Sequence, residues 1–401
     1  MWSSSRRLQK PWACCSRWKL AFLLLVGLCI LVQLLFIRSL WRESDLRRIF
    51  RAKGQFRLGQ SPVPASVDMQ MRRWIGSEKT ELFAPIVELY IKDPTTSDLA
   101  DIANLAQLQA LSIKAGTPAG LKRLGALREL TTLELRDINL DANSLSSLSG
   151  CTKLCRVKVV GNITAEALES LKHCESLYEL YLEEGDHFDD HAQMSLITAS
   201  RLAAIAKIPH LKHLMIQAGD VHDTELVGLV RARELETLTV CYLRLQSNAV
   251  NVLGRLPRLR QLELRPYDDL DTCVPPPLKG FPSLTALTIT NSRITPSFIS
   301  SLAKFPRLQA LSFADCQVDK SVIVLGDQPN LKLLDLDQAK VALPRSRKMG
   351  HLNGWGSRNL FIDEPINQDP DSDAPDSFTW EDYFSQPNWP DICAQHGPGF
   401  G

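Results

Sequence analysis

A short apolar motif that recurs along most of the chain limits what this sequence can fold into. The motif is a hexad, Leu-x-x-Leu-x-Leu, in which Ile, Val or Phe is accepted at the apolar positions. Hexads begin at Ile86, Leu108, Leu130, Leu154, Leu177, Leu211, Leu235, Leu259, Leu284, Leu308 and Leu331. Repetition at a period of about 22–25 residues predicts a solenoid in which each repeat supplies one structural unit. The interval between Leu177 and Leu211 is longer than the others, because the fifth repeat contains an insertion.

The spacing of apolar residues changes within each repeat. The last two apolar residues of a hexad, such as Leu262 and Leu264, are separated by one polar residue, which predicts a short strand with one buried face. After a polar stretch the spacing becomes three to four, as in Val250, Leu253 and Leu256, which predicts one or two turns of helix. Each repeat is therefore expected to supply one strand and one short helix.

Residues at the ends of the predicted helices agree with this assignment. Thr164, Thr295 and Asp319 stand where helices should begin, and each can cap free backbone N–H groups. Proline cannot continue a helix, and it stands just before five hexads, at Pro209, Pro257, Pro282, Pro306 and Pro329.

One strand and one short helix cannot bury a hydrophobic core alone, so neighbouring repeats must stack. Stacking places the strands in one parallel sheet on the concave side of the solenoid. The expected fold is therefore α/β: a right-handed horseshoe of about eleven repeats over residues 86–340.

Two stretches of the chain resemble known sequences. The stretch from Cys151 to Thr164 is similar to the cysteine-containing subclass of the leucine-rich-repeat superfamily, whose fold is like that of ribonuclease inhibitor. The stretch from Arg73 to Val87 looks like bacterial membrane-anchored members of that superfamily. The resemblance implies a binding module. Many families keep Asn at the ninth position of the repeat; only Asn162 fits here, with Cys316 as a substitute, so no continuous asparagine ladder is expected.

Residues 20–37 predict a transmembrane anchor. All of them except Gly27, Cys29 and Gln33 are either large apolar residues or Ala. As a helix they would span about 27 Å, close to a hydrocarbon core of about 30 Å. A cleaved signal peptide would need a small-x-small site, and Arg38 is followed by Ser, Leu and Trp instead. A lipoprotein signal would need a small residue before Cys29, where Leu28 stands. An uncleaved signal-anchor is therefore expected.

The charge on the two sides of this anchor predicts its orientation. Residues 1–19 form a basic N-terminal tail with five Lys or Arg and no acid. Six more basic residues follow the anchor by residue 53, so the two sides are nearly balanced. Because a short, purely basic tail is costly to translocate, we expect a single-pass protein with a cytoplasmic N-terminus and extracytoplasmic repeats.

The regions that flank the repeats are expected to differ from them. Residues 38–85 are predicted to form juxtamembrane and N-terminal capping helices, the capping helix running from Ser66 to about Ile75. Residues 341–401 are predicted to be an acidic, Pro-rich tail. Its part 359–401 holds nine Asp or Glu, six Pro and no Lys or Arg, a composition typical of disordered or loosely docked segments.

The concave face of the sheet is the predicted site of partner binding. Aromatic residues mixed with both signs of charge suit recognition of a protein. The residues expected there are Tyr90, Lys92, Glu134, Arg136, Arg156, Lys158, Tyr181, Glu183, His213, Met215, Glu263 and Arg265. The alternative is that these side chains only solvate the sheet. A net charge of +1 gives no indication of a nucleic-acid partner.

Two smaller sets of residues leave alternatives open. His187 and His191 in the long fifth repeat are four residues apart and could bind a divalent metal, although a solvated acidic insertion explains them as well. Cys151 and Cys174 occupy equivalent positions in adjacent repeats, so they could form a disulfide in an oxidising compartment or remain buried thiols.

The sequence carries no motif that predicts an enzyme. It has no glycine-rich phosphate loop and no G-x-S-x-G elbow. No cofactor is expected, and the favoured function is a membrane-anchored scaffold for an unidentified protein ligand. One alternative is a substrate receptor of a ubiquitin ligase. Such a receptor would need an adaptor-binding helical module before the repeats, and residues 38–85 are too short and too basic to form one. The other alternative is a metal-dependent enzyme built on His187 and His191.

Overall fold

The computed structural model describes residues 53–59, 84–183, 197–245, 248–266, 273–318, 320–336 and 340–341. The predicted anchor 20–37, the predicted capping helix, His187, His191 and the segment 359–401 lie outside the described residues. None of the helices within the described ranges is long and apolar enough to cross a membrane. The chain divides into two units, Met1–Ile86 and Val87–Gly401.

The first unit contains a strand between the two predicted helices. β1 is a strand, Gly54–Leu58, and it lies between residues 38–53, predicted as a juxtamembrane helix, and the capping helix predicted from Ser66 to about Ile75. Its exposure alternates residue by residue, and its sequence alternates polar Gln55 and Arg57 with apolar Phe56 and Leu58. That period of two favours a strand, and a short segment between two glycines has too few residues for an amphipathic helix.

Eleven parallel strands run through the repeats, in the order in which they occur in the chain. They are β2 (Ile86–Lys92), β3 (Ala110–Lys114), β4 (Thr132–Arg136), β5 (Arg156–Val160), β6 (Glu179–Glu183), β7 (His213–His222), β8 (Thr237–Arg244), β9 (Gln261–Pro266), β10 (Ala286–Thr290), β12 (Ala310–Ala314) and β14 (Leu333–Asp335). Three short strands form a second parallel sheet: β11 (Arg293–Ile294), β13 (Gln317–Val318) and β15 (Lys340–Val341). This arrangement confirms the predicted α/β class and the parallel sheet.

The hexads supply the core because the register stacks their apolar residues. Leu111 on β3 pairs with Leu133 on β4, which pairs with Val157 on β5. All three side chains are at most 2% exposed. Each side chain buried in this way stabilises the fold by about 1.5–3 kcal/mol, which makes the ladder of apolar residues the main source of stability.

Short helices return the chain between strands. The α-helices are α1 (Thr96–Ile102), α2 (Pro118–Leu121), α3 (Ala165–Ser170), α4 (Ala199–Ile205) and α5 (Pro296–Leu302). The 3-10 helices are Leu124–Ala126, Ser146–Gly150, Leu171–His173, Asp223–Arg231, Asn248–Arg255 and Lys320–Asp327. The predicted caps are confirmed at two positions: Thr164 accepts a hydrogen bond from the N–H of Ala167, and Thr295 accepts one from Phe298.

A left-handed residue follows several of the strands. Asp93, Ala115 and Asp137 have φ of 49–54°, and Gly161 has φ of 126°. The N–H of each donates to the carbonyl of the last residue of the next strand, at 2.8 Å in all four cases. The turn therefore closes each strand at the same position, which aligns the last outward-facing side chain of each strand along one edge of the sheet.

The opposite edge, where the chain enters each strand, has its own hydrogen bonds between coils. Ser176 donates to the carbonyl of Thr152 at 2.7 Å, and Asn330 donates to the carbonyl of Pro306 at 2.7 Å. Ser283 makes the equivalent bond to Pro257. These side chains tie each coil to the one before it.

Of the two residues expected to fit the ninth repeat position, Asn162 and Cys316, only Cys316 behaves as expected. Cys316 is buried and donates to the carbonyl of Ile289 in the preceding coil, at 3.4 Å, as a substitute for Asn would. Asn162 is instead exposed and accepts from Arg201 at 3.3 Å. Ser292, which is fully buried, fills the same position in the coil before Cys316.

Candidate protein-binding face

The open face of the sheet is the side that the apolar core does not occupy. Alternate side chains of each strand point to it, and the register aligns them in three columns across the strands. The middle column holds Tyr90, Ser112, Glu134, Lys158, Tyr181, Met215, Thr239, Glu263, Thr288, Ser312 and Asp335. All twelve residues predicted for the binding face lie in these columns.

Four of the twelve are not available at the surface. Glu134, Arg156, Lys158 and Tyr181 are only 4–7% exposed. The prediction that they face solvent is therefore wrong. The reason is that opposite charges occupy neighbouring positions in the same columns and pair with one another.

Lys158 is at the centre of this buried group. Its Nζ lies 3.7 Å from Oε1 of Glu134 and 3.3 Å from Oε2 of Glu183. The same Nζ lies 4.4 Å from the centre of the Tyr181 ring, which adds a cation–π contact. Glu134 also accepts from Arg136 Nε at 2.8 Å and from Ser112 Oγ at 2.7 Å. The charges thus satisfy one another across β3–β6.

A second ion pair lies beside this group, between Arg156 and Glu179. Arg156 Nε is 2.7 Å from Oε2 of Glu179. Burial raises the pKa of the Glu179 carboxyl, and the charge of Arg156 offsets part of that effect. Burial, with the charge of Glu183, also raises the pKa of Tyr181 well above its ordinary range. The Tyr181 hydroxyl donates to Gln217 Oε1 at 2.9 Å, so this tyrosine is a fixed neutral donor.

The other predicted residues are more accessible and lie at the two ends of the buried group. Tyr90 is 37% exposed and Lys92 is exposed, at the first strands of the array. Arg136 and Glu183 border the buried group. His213, Met215, Glu263 and Arg265 are at least partly exposed on β7–β9.

Strands β7–β9 differ from the rest of the sheet. They contain ten, eight and six residues, whereas β3–β6 contain five each. The register shifts between Gln217 and Val221 on β7 and between Cys241 and Leu243 on β8. The second shift leaves Tyr242 as a bulged residue with φ of 56°, which costs energy for a bulky side chain. Tyr242 occupies the same position of the repeat as Ala115 and Asp137, which are also left-handed.

A cavity of about 300 Å³ opens at the end of these strands. It is lined by Gln217, Cys241, Tyr242, Arg265, Asn291 and Asp315, among others. Asn291 and Asp315 are left-handed residues that follow β10 and β12, with φ of 46° and 51°. The cavity therefore presents one cation, one carboxylate and several uncharged hydrogen-bonding groups.

Arg265 is held in place at the rim of this cavity. Its Nε and one of its terminal nitrogens both lie 2.7 Å from Oε1 of Glu263. Oε2 of Glu263 accepts from Thr239 Oγ1 at 3.1 Å. Because its carboxylate partner is itself fixed, the guanidinium is ordered before any partner arrives, which lowers the entropic cost of binding.

Sequence reasoning missed several residues of this face. Glu179, Gln217 and Thr239 lie in the same columns as predicted residues, so the period of two within each hexad could have identified them. Tyr242 could not be found in this way, because a bulge breaks that period.

The two smaller predictions have different outcomes. Cys151 and Cys174 are buried and their thiols are free, and Cys151 donates to the carbonyl of Leu124 at 3.1 Å. In this structure Cys151 and Cys174 are therefore buried thiols and do not form a disulfide. No cluster of three or more His, Cys, Asp or Glu that could hold a metal occurs in the described part of the chain, which does not include His187 and His191.

Comparison with known proteins identifies the repeat. The pattern of a leucine-rich repeat region matches residues 87–349. No curated protein matches the chain. An internalin from Listeria monocytogenes is 16% identical, with a TM-score of 0.40 over 75% of this chain and 96% of the internalin. A chain of the mouse RP105/MD-1 complex is 15% identical, with a TM-score of 0.36 over 64% of this chain and 52% of that one. The family pattern covers well over half of the sequence, and the chain belongs to the leucine-rich repeat family.

Proposed function

We propose that this chain is a non-enzymatic protein-binding module whose partner contacts the open face at β7–β9. The observation that carries the proposal is the cavity of about 300 Å³ beside the bulged Tyr242 and the ordered Arg265. Tyr and Arg are the residues most often found as anchors in protein interfaces. Solenoids of this kind use their extended sheet surface to bind other molecules.

The buried group at β3–β6 supports the choice of β7–β9. Charges that already pair within the protein offer little to a partner, since breaking them costs as much as re-forming them gains. Arg265, with a side chain that is 47% exposed, can keep its bond to Glu263 and still donate to a partner. Its planar guanidinium has donors on more than one side.

Arg265→Ala tests this proposal in the full-length protein. Removal of an interface arginine of this kind is expected to cost about 2 kcal/mol, which is roughly a 30-fold loss of affinity. Partners captured by wild type and by the variant would first be compared by quantitative mass spectrometry, and the dissociation constant of the partner lost would then be measured.

The matched control is Arg293→Ala, which removes an exposed arginine from β11 in the second sheet. It is expected to retain the partner. Equal recovery of every partner by wild type and Arg265→Ala would contradict the assignment of this face.

We propose further that residues 20–37 anchor the chain in a membrane and that the repeats lie on the extracytoplasmic side. The length of the apolar run and the five basic residues before it support this topology. Protease added to intact cells or spheroplasts is expected to digest a C-terminal tag. A tag that survives until the membrane is permeabilised would place the repeats in the cytoplasm.

A further inference from the structure

The edge at which the chain enters the strands carries an uneven distribution of charge. Some bases on this edge are matched by acids of a neighbouring coil. Lys153 pairs with Glu129 at 2.7 Å, Lys212 pairs with Glu236 at 3.5 Å, and Arg258 pairs with Glu234.

Other exposed bases on this edge have no ion pair with a described residue, and Arg128, Arg231 and Arg233 are examples in earlier coils. Six exposed bases on the entering turns of the last four coils have no ion pair with any described residue, and we call them the basic edge: Arg255, Arg260, Lys279, Lys304, Arg307 and Lys332. The segments 254–260, 279–285 and 303–309 contain no Asp or Glu, whereas the corresponding segment 326–332 contains Asp327. Since neighbouring coils are about 4.8 Å apart at the sheet, these like charges repel one another.

A cavity of about 600 Å³ lies within the basic edge. Arg260 and Arg307 line it, together with Ser283, Thr285, Gln309 and Asn330, and none of its lining residues is acidic. Two cations among hydroxyl and amide groups, with no competing carboxylate, form a site suited to carboxylates.

The chain itself contains a segment of complementary charge. Residues 359–401 hold nine Asp or Glu and no Lys or Arg. A short connection joins Val341, the last described residue, to the start of this segment. When extended, this connection reaches about 60 Å, several times the width of the last four coils.

We propose that residues 359–401 bind the basic edge of the same chain, with carboxylates of the segment at Arg260 and Arg307. Binding neutralises the repulsion between the six bases. The proposal does not rest on the partner site at β7–β9, because none of the six bases lines the cavity beside Tyr242 and Arg265.

The test measures how fast chymotrypsin releases a C-terminal epitope tag from the full-length protein. The segment offers the protease several aromatic residues, among them Phe378, Trp380 and Tyr383. In the double variant Arg260→Glu and Arg307→Glu, release is expected to be about tenfold faster than in wild type, since cleavage follows the population of the undocked state. A salt concentration of about 1 M should accelerate wild type similarly, because it shortens the screening length to about 3 Å.

Two further variants keep the result interpretable. The control, Arg123→Glu with Arg128→Glu, makes the same change of charge at exposed positions near β3 and β4 and should match wild type. Replacement of the nine acids by Asn and Gln leaves the repeats unchanged and should accelerate release as much as the double variant does.

The proposal is overturned if wild type, the Arg260/Arg307 variant and the neutralised variant release the tag at the same rate, or if the control variant is equally fast. It is also overturned in its intramolecular form if protection increases with protein concentration, since that result would assign the bound segment to a second copy.

Discussion

At the scale of single residues, the sequence predicts which side chains face away from the core but not which of them reach solvent. The period of two within each hexad correctly assigns Lys158 to the open face. Its burial depends on Glu134 in the preceding coil and Glu183 in the following one, which become its neighbours only when coils stack. Pairing across strands therefore has to be considered before a charged residue is interpreted as a binding residue.

The two cysteines allow a prediction at the same scale. Burial raises the pKa of Cys151 to about 12 and that of Cys174 to about 11, so both stay protonated at pH about 8.5. Because only the thiolate reacts and both sulfurs are buried, iodoacetamide should not label either cysteine in the folded protein. After unfolding without reductant it should label both, as measured by mass spectrometry of the peptides.

The unfolded sample is its own control for the disulfide. If Cys151 and Cys174 remain unlabelled after unfolding and become reactive only when reductant is added, they form a disulfide in the protein as purified, contrary to this structure.

At the scale of elements, the strands and the caps were predictable and the kind of helix was not. Apolar spacing predicts a helix at Val250, Leu253 and Leu256, and the structure has a 3-10 helix, Asn248–Arg255, over most of this stretch. A 3-10 helix rises about 2.0 Å per residue against about 1.5 Å for an α-helix. A short coil can thus cover the return path with fewer residues, a constraint that apolar spacing does not reveal.

Close contact between coils was also missed. A Cβ added to Gly125 would lie 2.3 Å from the carbonyl oxygen of Ser147, and one added to Gly150 would lie 2.3 Å from that of Gly125. These glycines let adjacent 3-10 helices approach closely on the side opposite to the open face. A single sequence contains no sign of this contact, because glycine is equally expected in the turns around it.

At the scale of the whole molecule, function depends on surfaces that several coils build together. Arg260 and Arg307 lie two coils apart and line one cavity, and the cavity at β7–β9 needs residues from five strands or the turns after them. The sequence predicts that the coils stack. It therefore also predicts that a surface built by several coils uses the same repeat positions in each coil. It cannot predict that β8 continues past the left-handed position of the repeat, which makes Tyr242 a bulged residue.

Stacking also predicts how damage spreads through the molecule. β7 has five strands on each side in the repeat sheet, whereas β12 has only β14 beyond it. Leu214 on β7 and Leu311 on β12 are both 1% exposed and occupy equivalent positions, so Leu→Ala removes the same atoms from the same environment. Each substitution is expected to cost about 2–5 kcal/mol.

In a solenoid stabilised by contacts between neighbours, the consequences of these two substitutions should differ. Leu214→Ala is expected to increase hydrogen exchange in the strands on both sides of β7. Leu311→Ala should increase it mainly in β12 and β14, because opening that end leaves the remaining coils intact. Exchange measured by mass spectrometry on both variants decides the question: a uniform increase along the array in each would mean that the repeats unfold as one unit, and an increase confined to one coil in each would mean that coils are stabilised independently.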